Sequence, residues 1–147
     1  MIEKKEFESK FKYLESALTS LKSSIILDRK NENQEIKSML RDSCIQRFEY
    51  SYELSWKFMK YILEKYDTEI ETRSPKQALK TAFKNWYIDN LDLWFNISEY
   101  RNKTSHEYEE NIADELYLHI PHFFEEMQRF YEFIKIKYNE WYFRENN

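Results

Sequence analysis

Apolar residues recur at helical spacing along almost the whole chain. Phe7, Phe11, Leu14, Leu18, Leu21 and Ile25 step by 4-3-4-3-4, which predicts an amphipathic helix from about Glu3 to Leu27. The polar run DRKNEN (28–33) breaks it, and Asn31 or Asn33 is the residue expected to take a left-handed cap. The second helix, about Gln34 to Tyr66, carries two adjoining apolar arcs. One holds Cys44, Ile45, Phe48, Tyr52, Trp56, Met59, Ile62 and Leu63; the other holds Tyr50, Leu54, Phe58 and Tyr61. Glu49, Glu53, Lys57, Lys60 and Glu64 leave only a narrow polar strip. A helix so nearly apolar all round is surrounded, by its own bundle or by a second copy of the chain. Few small bundles enclose one helix that fully, so a homodimer is expected.

Ser74-Pro75-Lys76-Gln77 reads as a helix start, with Ser74 as cap, Pro75 at the first helical position and Gln77 closing a capping box. Ala78, Leu79, Ala82, Phe83 and Trp86 supply the inner side of this short third helix. A turn near Tyr87–Asn90 leads to a fourth helix through Trp94, Ile97, Ser98 and Arg101. The last helix starts near Asn111 and should kink or break at Pro121. The expected architecture is all-α: an up-and-down bundle of four to five helices in a single domain spanning 1–147.

Composition sharpens this reading. The chain of 147 residues contains no glycine and two prolines. P-loops, dinucleotide-binding fingerprints and tight hairpins all need glycine, so those functions and a hairpin-rich β fold are excluded. Cys44 is the only cysteine, which rules out an intrachain disulfide and suits a reducing cytoplasm. On its helical arc it reads as a buried small hydrophobe rather than a nucleophile. No apolar run is long enough to span a membrane and the N-terminus lacks an apolar leader, so a cytoplasmic protein with no membrane partner is expected.

Candidate chemistry concentrates in Tyr100-Arg101-Asn102-Lys103-Thr104-Ser105-His106-Glu107-Tyr108. Arg101 projects from the same helix face as Trp94, Ile97 and Ser98, where a guanidinium is costly unless it is paired or lines a wet cleft. His106 follows five residues later, about 140° round an unbroken helix. The two groups can meet on one ligand only if the helix ends between them or if they converge across a symmetric interface. A snorkelling arginine and a surface histidine remain the alternative. His119 and His122 flank Pro121 without metal-ligand spacing, Glu125 and Glu126 read as solvated, and no metal site is expected.

The blocks RFEYSYELSWKFMKYILE (47–64), SPKQALKTAF (74–83) and LWFNISEYRNKTSHEY (93–108) resemble the nucleotidyltransferase substrate-binding protein family of the HEPN superfamily. That group includes the HepT toxins of MntA–HepT toxin–antitoxin systems. The likeness covers about Cys44 to Phe124, and its key motif of Arg, four residues, His, one residue, Tyr is met by Arg101, His106 and Tyr108. The resemblance implies a metal-independent ribonuclease without cofactor, in which Arg101 and His106 act in a cleft between two protomers. Histidine moves protons near neutrality, and a planar guanidinium can contact two oxygens of a phosphorane. Asn102 matches the polar residue favoured after the arginine, as a supporting group. Tyr108 matches the tyrosine that a cognate minimal nucleotidyltransferase, MntA-like, modifies with AMP, and a bulky anion there would block the cleft.

Net charge pulls against an RNA substrate. With 23 basic and 27 acidic residues the chain is acidic overall, whereas general nucleic-acid affinity comes from neutralising phosphates. Arg73, Lys76, Lys80, Lys84 and Lys103 are the candidates to rim an RNA-binding mouth, or are solvated lysines on an exposed face. The alternative function is a non-catalytic subunit that presents substrate or nucleotide to a minimal nucleotidyltransferase. There Arg101 grips a phosphate or carboxylate and His106 only hydrogen-bonds. An all-α dimerisation module without a ligand is the third reading.

Overall fold

A computed structural model describes residues 3–66, 72–106 and 110–146, with side chains for 3–65, 72–104 and 110–140. Within these residues lie five helices and no strand: α1 Lys4–Lys30, α2 Gln34–Tyr66, α3 Pro75–Lys84, α4 Leu91–His106 and α5 Glu110–Asn146. Cross-helix contacts give the directions. Phe7 meets Phe58 and Arg47 reaches the Ser20 carbonyl, so α1 and α2 run antiparallel. Trp94 meets Glu126 while Tyr100 meets Glu115, so α4 and α5 are antiparallel too. Phe48 packs on Phe123 and Phe58 on Phe130, which makes α5 parallel to α2. The four long helices therefore alternate in direction, and α3 is a short insert between α2 and α4.

The α1 seam is buried as its spacing requires, with Phe7, Leu14, Leu18, Leu21 and Ile25 in one hydrophobic core. It docks on α5 through stacked rings, Phe7 on Tyr138 at 4.5 Å and Phe11 on Tyr131 at 4.7 Å. The two phenols then donate to carboxylates of α1, Tyr138 to Glu8 and Tyr131 to Glu15. Each aromatic thus contributes apolar area at its face and a satisfied polar group at its tip.

Helix α2 is the centre of this arrangement and packs against each of the other four helices. Both of its apolar arcs are consumed internally: Cys44, Tyr52, Phe58, Met59 and Tyr61 are all buried, and Tyr50 alone of the second arc is largely exposed. The enclosure that suggested a second copy is supplied by the bundle itself, because α3 and α4 fold back over α2. Cys44 behaves as a small hydrophobe, its thiol pKa pushed up by burial.

Four local expectations need correction. Phe83 and Trp86 do not supply the inner side of α3: its buried residues are Ala78, Leu79 and Ala82, while Phe83 is 42% exposed and Trp86, beyond the helix end at Lys84, is 83% exposed. Pro121 does not break α5, which continues unbroken from Glu110 to Asn146. Leu116 and Ile120 before the proline and Phe123 and Met127 after it are all buried, so packing on both sides keeps the helix continuous despite the missing N–H. Glu126 is not solvated. It is 5% exposed and accepts from the Trp94 indole N–H at 3.1 Å, with Arg129 at 3.2 Å. The left-handed cap is at neither asparagine. Asn31 is extended (φ −103°, ψ 132°), and the Asn33 carboxamide oxygen is committed to capping α2 at the N–H groups of Glu35 and Ile36.

The left-handed residue among those described is Trp86, at φ 67°. The start of α3 is as expected, with the Ser74 hydroxyl accepting from the Gln77 N–H and the Gln77 side chain accepting from the Arg73 N–H. At its end, Tyr87 N–H donates to Ala82 O (2.9 Å) and Trp86 N–H to Phe83 O (3.2 Å), the paired bonds of a Schellman cap. Glycine normally holds that position, and an L-residue with a Cβ is disfavoured there by about 1–2 kcal/mol. The indole recovers little of this by packing, since Trp86 is 83% exposed. Trp86→Gly is therefore expected to stabilise the fold by about 1 kcal/mol, less the extra freedom glycine gives the unfolded chain. Thermal unfolding should show Tm rising by about 2–4 °C; a lowered Tm would mean that indole contacts outweigh the strain.

Candidate functional site

Arg101 lies on α4 at the seam with α2, its side chain 22% exposed. Its partners come from the narrow polar strip of α2. Glu49 Oε2 is 3.1 Å from Arg101 Nη1, and Glu53 Oε1 is 3.6 Å from Arg101 Nε. Glu49 and Glu53 stand one helical turn apart, the spacing that lets two carboxylates on one helix face a single guanidinium. Glu53 also receives the Trp56 indole N–H at 3.2 Å and lies 3.8 Å from Lys57. Among the described residues the cluster brings together two acids, Glu49 and Glu53, and two cations, Arg101 and Lys57.

Tyr52 on α2 is buried at the same seam. Burial pushes the Tyr52 phenol up to about 12, so it stays protonated at neutral pH. Glu49 also titrates above the ordinary carboxylate range: burial raises it more than the Arg101 charge lowers it. Farther along α4, the Tyr100 phenol, likewise pushed up to about 12 by burial, donates to Glu115 on α5 at 2.7 Å. Thr104 is buried, and its hydroxyl donates to the Arg101 carbonyl. These contacts fix α4 between α2 and α5, which holds Arg101 at a set depth.

Helix α4 runs on as far as His106. It does not end between Arg101 and His106, so the two positions stand about 140° apart round one axis. The His106 side chain and the whole of Tyr108 lie outside the described residues. Asn102 and Lys103 are exposed on α4, and the Lys103 ammonium lies 5.3 Å over the Tyr100 ring. Arg73, Lys76, Lys80 and Lys84 are exposed on α3 and its cap, with Lys76 5.8 Å over the Phe95 ring of α4.

His119 and His122 are exposed beside Phe123, and no group of three metal-ligating side chains forms among the described residues. No described helix is long and apolar enough to cross a membrane. A recess of about 360 Å³ between α1 and α2, lined by residues including Lys10, Tyr13 and Lys57, does not include Arg101. Glu49 and Glu53 are the residues that sequence reasoning missed as part of the site. Their signal was present, as two acids at i and i+4 on the narrow polar strip of α2, but their partner lies about a third of the chain away.

Residues 9–136 match the family profile described as "Nucleotidyltransferase substrate binding protein like". The chain is 30% identical over 118 residues to the "Probable ribonuclease HepT" of Haemophilus influenzae, covering 75% of this chain and 81% of that protein. Among solved structures, a Haemophilus influenzae protein described as the substrate-binding domain of a nucleotidyltransferase superposes with a TM-score of 0.72 at 27% identity. That match covers 83% of this chain and 96% of the other. The Shewanella oneidensis HEPN toxin, solved tri-AMPylated with its MNT antitoxin, shares the fold at 18% identity and a TM-score of 0.70, covering 88% and 96%. Profile and relative together place this chain in the nucleotidyltransferase substrate-binding protein family, as a HepT-like member.

Proposed function

We propose that this protein is a HepT-like toxin that cleaves RNA without a metal ion. Arg101 and His106 are its catalytic residues, Asn102 a supporting one, in a cleft shared by two copies of the chain. The observation that carries this reading is Arg101 itself, a guanidinium fixed at the α2–α4 seam on the helix that also carries His106. Since α4 does not end between the two positions, convergence across a two-fold axis is the route left for them to share one phosphate. The family relationship to a protein named as a probable ribonuclease supports the same conclusion.

The chemistry follows from the two groups. A ribose 2′-OH attacks the adjacent phosphorus, forming the O2′–P bond and breaking the P–O5′ bond. An imidazole accepts the 2′-OH proton and returns one to the leaving oxygen, with products ending in a 2′,3′-cyclic phosphate and a 5′-OH. The guanidinium compensates charge that builds on the non-bridging oxygens. The partner is a cognate minimal nucleotidyltransferase. It transfers AMP from ATP to the Tyr108 phenol with release of pyrophosphate, placing a bulky anion two residues from His106. The family's description as substrate-binding favours a second reading, a non-catalytic subunit that presents a ligand to that nucleotidyltransferase.

Expression without the nucleotidyltransferase should arrest growth, and purified protein should cleave cellular RNA in the presence of EDTA. Arg101→Ala and His106→Ala should each lower cleavage by about 10²-fold or more. Binding of the nucleotidyltransferase with no cleavage by wild-type protein would favour the non-catalytic reading. After co-expression with the nucleotidyltransferase, intact-mass measurement should show AMP increments that vanish in Tyr108→Phe.

Glu49 sets the charge around Arg101, and its titration can be read as stability. Its folded pKa lies above the ordinary 4.5, so the folded state holds the proton more tightly than the unfolded chain. This contribution is present at low pH and is lost as pH rises from 4.5 through the folded value. The unfolding free energy of wild type minus that of Glu49→Gln should therefore decline as pH rises across that window. A difference that grows with pH would show Arg101 attraction outweighing burial.

A further inference from the structure

From Thr72 to Ile88 the charged residues are Arg73, Lys76, Lys80 and Lys84, with no acid among them, in a chain whose net charge is −4. Lys76, Lys80 and Lys84 recur every four residues on α3, so they form one stripe with a rise of about 6 Å between neighbours. All three are exposed, and none forms an ion pair with a described residue. Asp89, the first acid after the stripe in sequence, is engaged by Arg129 at 2.8 Å. At the C-terminal end of the stripe stand two exposed aromatics, Phe83 at 42% and Trp86 at 83%. Trp86 is the residue held at φ 67° in a cap where glycine is the unstrained choice.

These features separately have ordinary explanations; together they have the chemistry of one ligand class. A stripe of cations at even spacing tracks a chain of phosphates, and an indole standing clear of the surface offers a face on which a base can stack. We infer that α3 is a binding surface for single-stranded RNA, with phosphates along Lys76, Lys80 and Lys84 and an unpaired base on Trp86. Lys76 reaches α4 at Phe95, six residues before Arg101, so the surface leads from the α4 side of the site toward the α3–α4 turn. It gives an acidic protein a local footprint for RNA without requiring a basic molecule. The inference rests on RNA being the substrate, as proposed above, and adds where and how the strand is held.

The test is fluorescence anisotropy with a labelled 2′-O-methyl oligouridylate, which lacks the attacking hydroxyl and so reports binding alone. Changing Lys76, Lys80 and Lys84 together to Gln should flatten the slope of log affinity against log salt by about 2. Trp86→Gly should weaken binding about tenfold with the slope unchanged, while Trp86→Phe retains most of the affinity. Because Trp86→Gly is expected to raise Tm, its loss of binding cannot be ascribed to unfolding. Wild-type affinity and slope in the lysine and Trp86→Gly variants overturn the inference. So does a triple variant that binds the oligonucleotide normally but no longer co-purifies with the nucleotidyltransferase, which would make α3 a protein-docking face. Cleavage of cellular RNA by wild-type protein alongside unaffected binding in the variants removes this surface and leaves the ribonuclease. Lost binding in the variants of a protein that cleaves nothing keeps the surface and removes the ribonuclease.

Discussion

One guanidinium lies between α2 and α4, and two carboxylates a helical turn apart on α2 hold it there. At an effective dielectric near 20, a unit pair about 4 Å apart attracts by about 4 kcal/mol, and much of that offsets the loss of hydration. The side chains keep between a fifth and a third of their exposure, so the cluster is neither a free surface pair nor a dry interior one. Its consequence is positional more than energetic. Arg101 is set at a defined depth, on a helix clamped by Tyr100 against α5. A group that must meet a phosphate within hydrogen-bonding distance needs that kind of support.

The same cluster also sets a condition on function. Glu49 and Glu53 are anions beside the cation that an RNA phosphate would contact, with Lys57 as partial compensation. An incoming phosphate must share Arg101 with them, which favours substrates brought close by other contacts. The lysine stripe on α3 is placed to supply such contacts. At the far end of that stripe the chain keeps a tryptophan in a strained left-handed cap, although glycine would relieve the strain. A local rule broken without a packing gain is where a functional demand is expected to show.

Much of the fold was legible in the sequence because long amphipathic helices announce themselves. The 4-3 stepping of α1, the Ser-Pro start of α3 and the all-round apolar character of α2 each correspond to an observed element. What the pattern could not say is what surrounds α2. Enclosure by α1, α3, α4 and α5 and enclosure by a second copy look alike in one sequence, since both bury the same arcs. Glu126 was misjudged for a related reason. Its burial depends on the Trp94 indole N–H, a partner 32 residues away. Pro121 does not break α5 because, although helix propensity is local, Leu116, Ile120, Phe123 and Met127 bury both flanking turns. At the site, Arg101 was correctly singled out as needing a partner, while the identity of that partner required the α2–α4 register.

The most direct measurement of the central claim is a crystal structure of the protein with a short RNA whose attacking 2′-OH is replaced by hydrogen. A phosphate is expected within hydrogen-bonding distance of the Arg101 guanidinium, with Glu49 or Glu53 still in contact and an imidazole from the second copy on the same linkage. A strand bound elsewhere, with Arg101 still enclosed by its two carboxylates and no histidine near the phosphate, would contradict it.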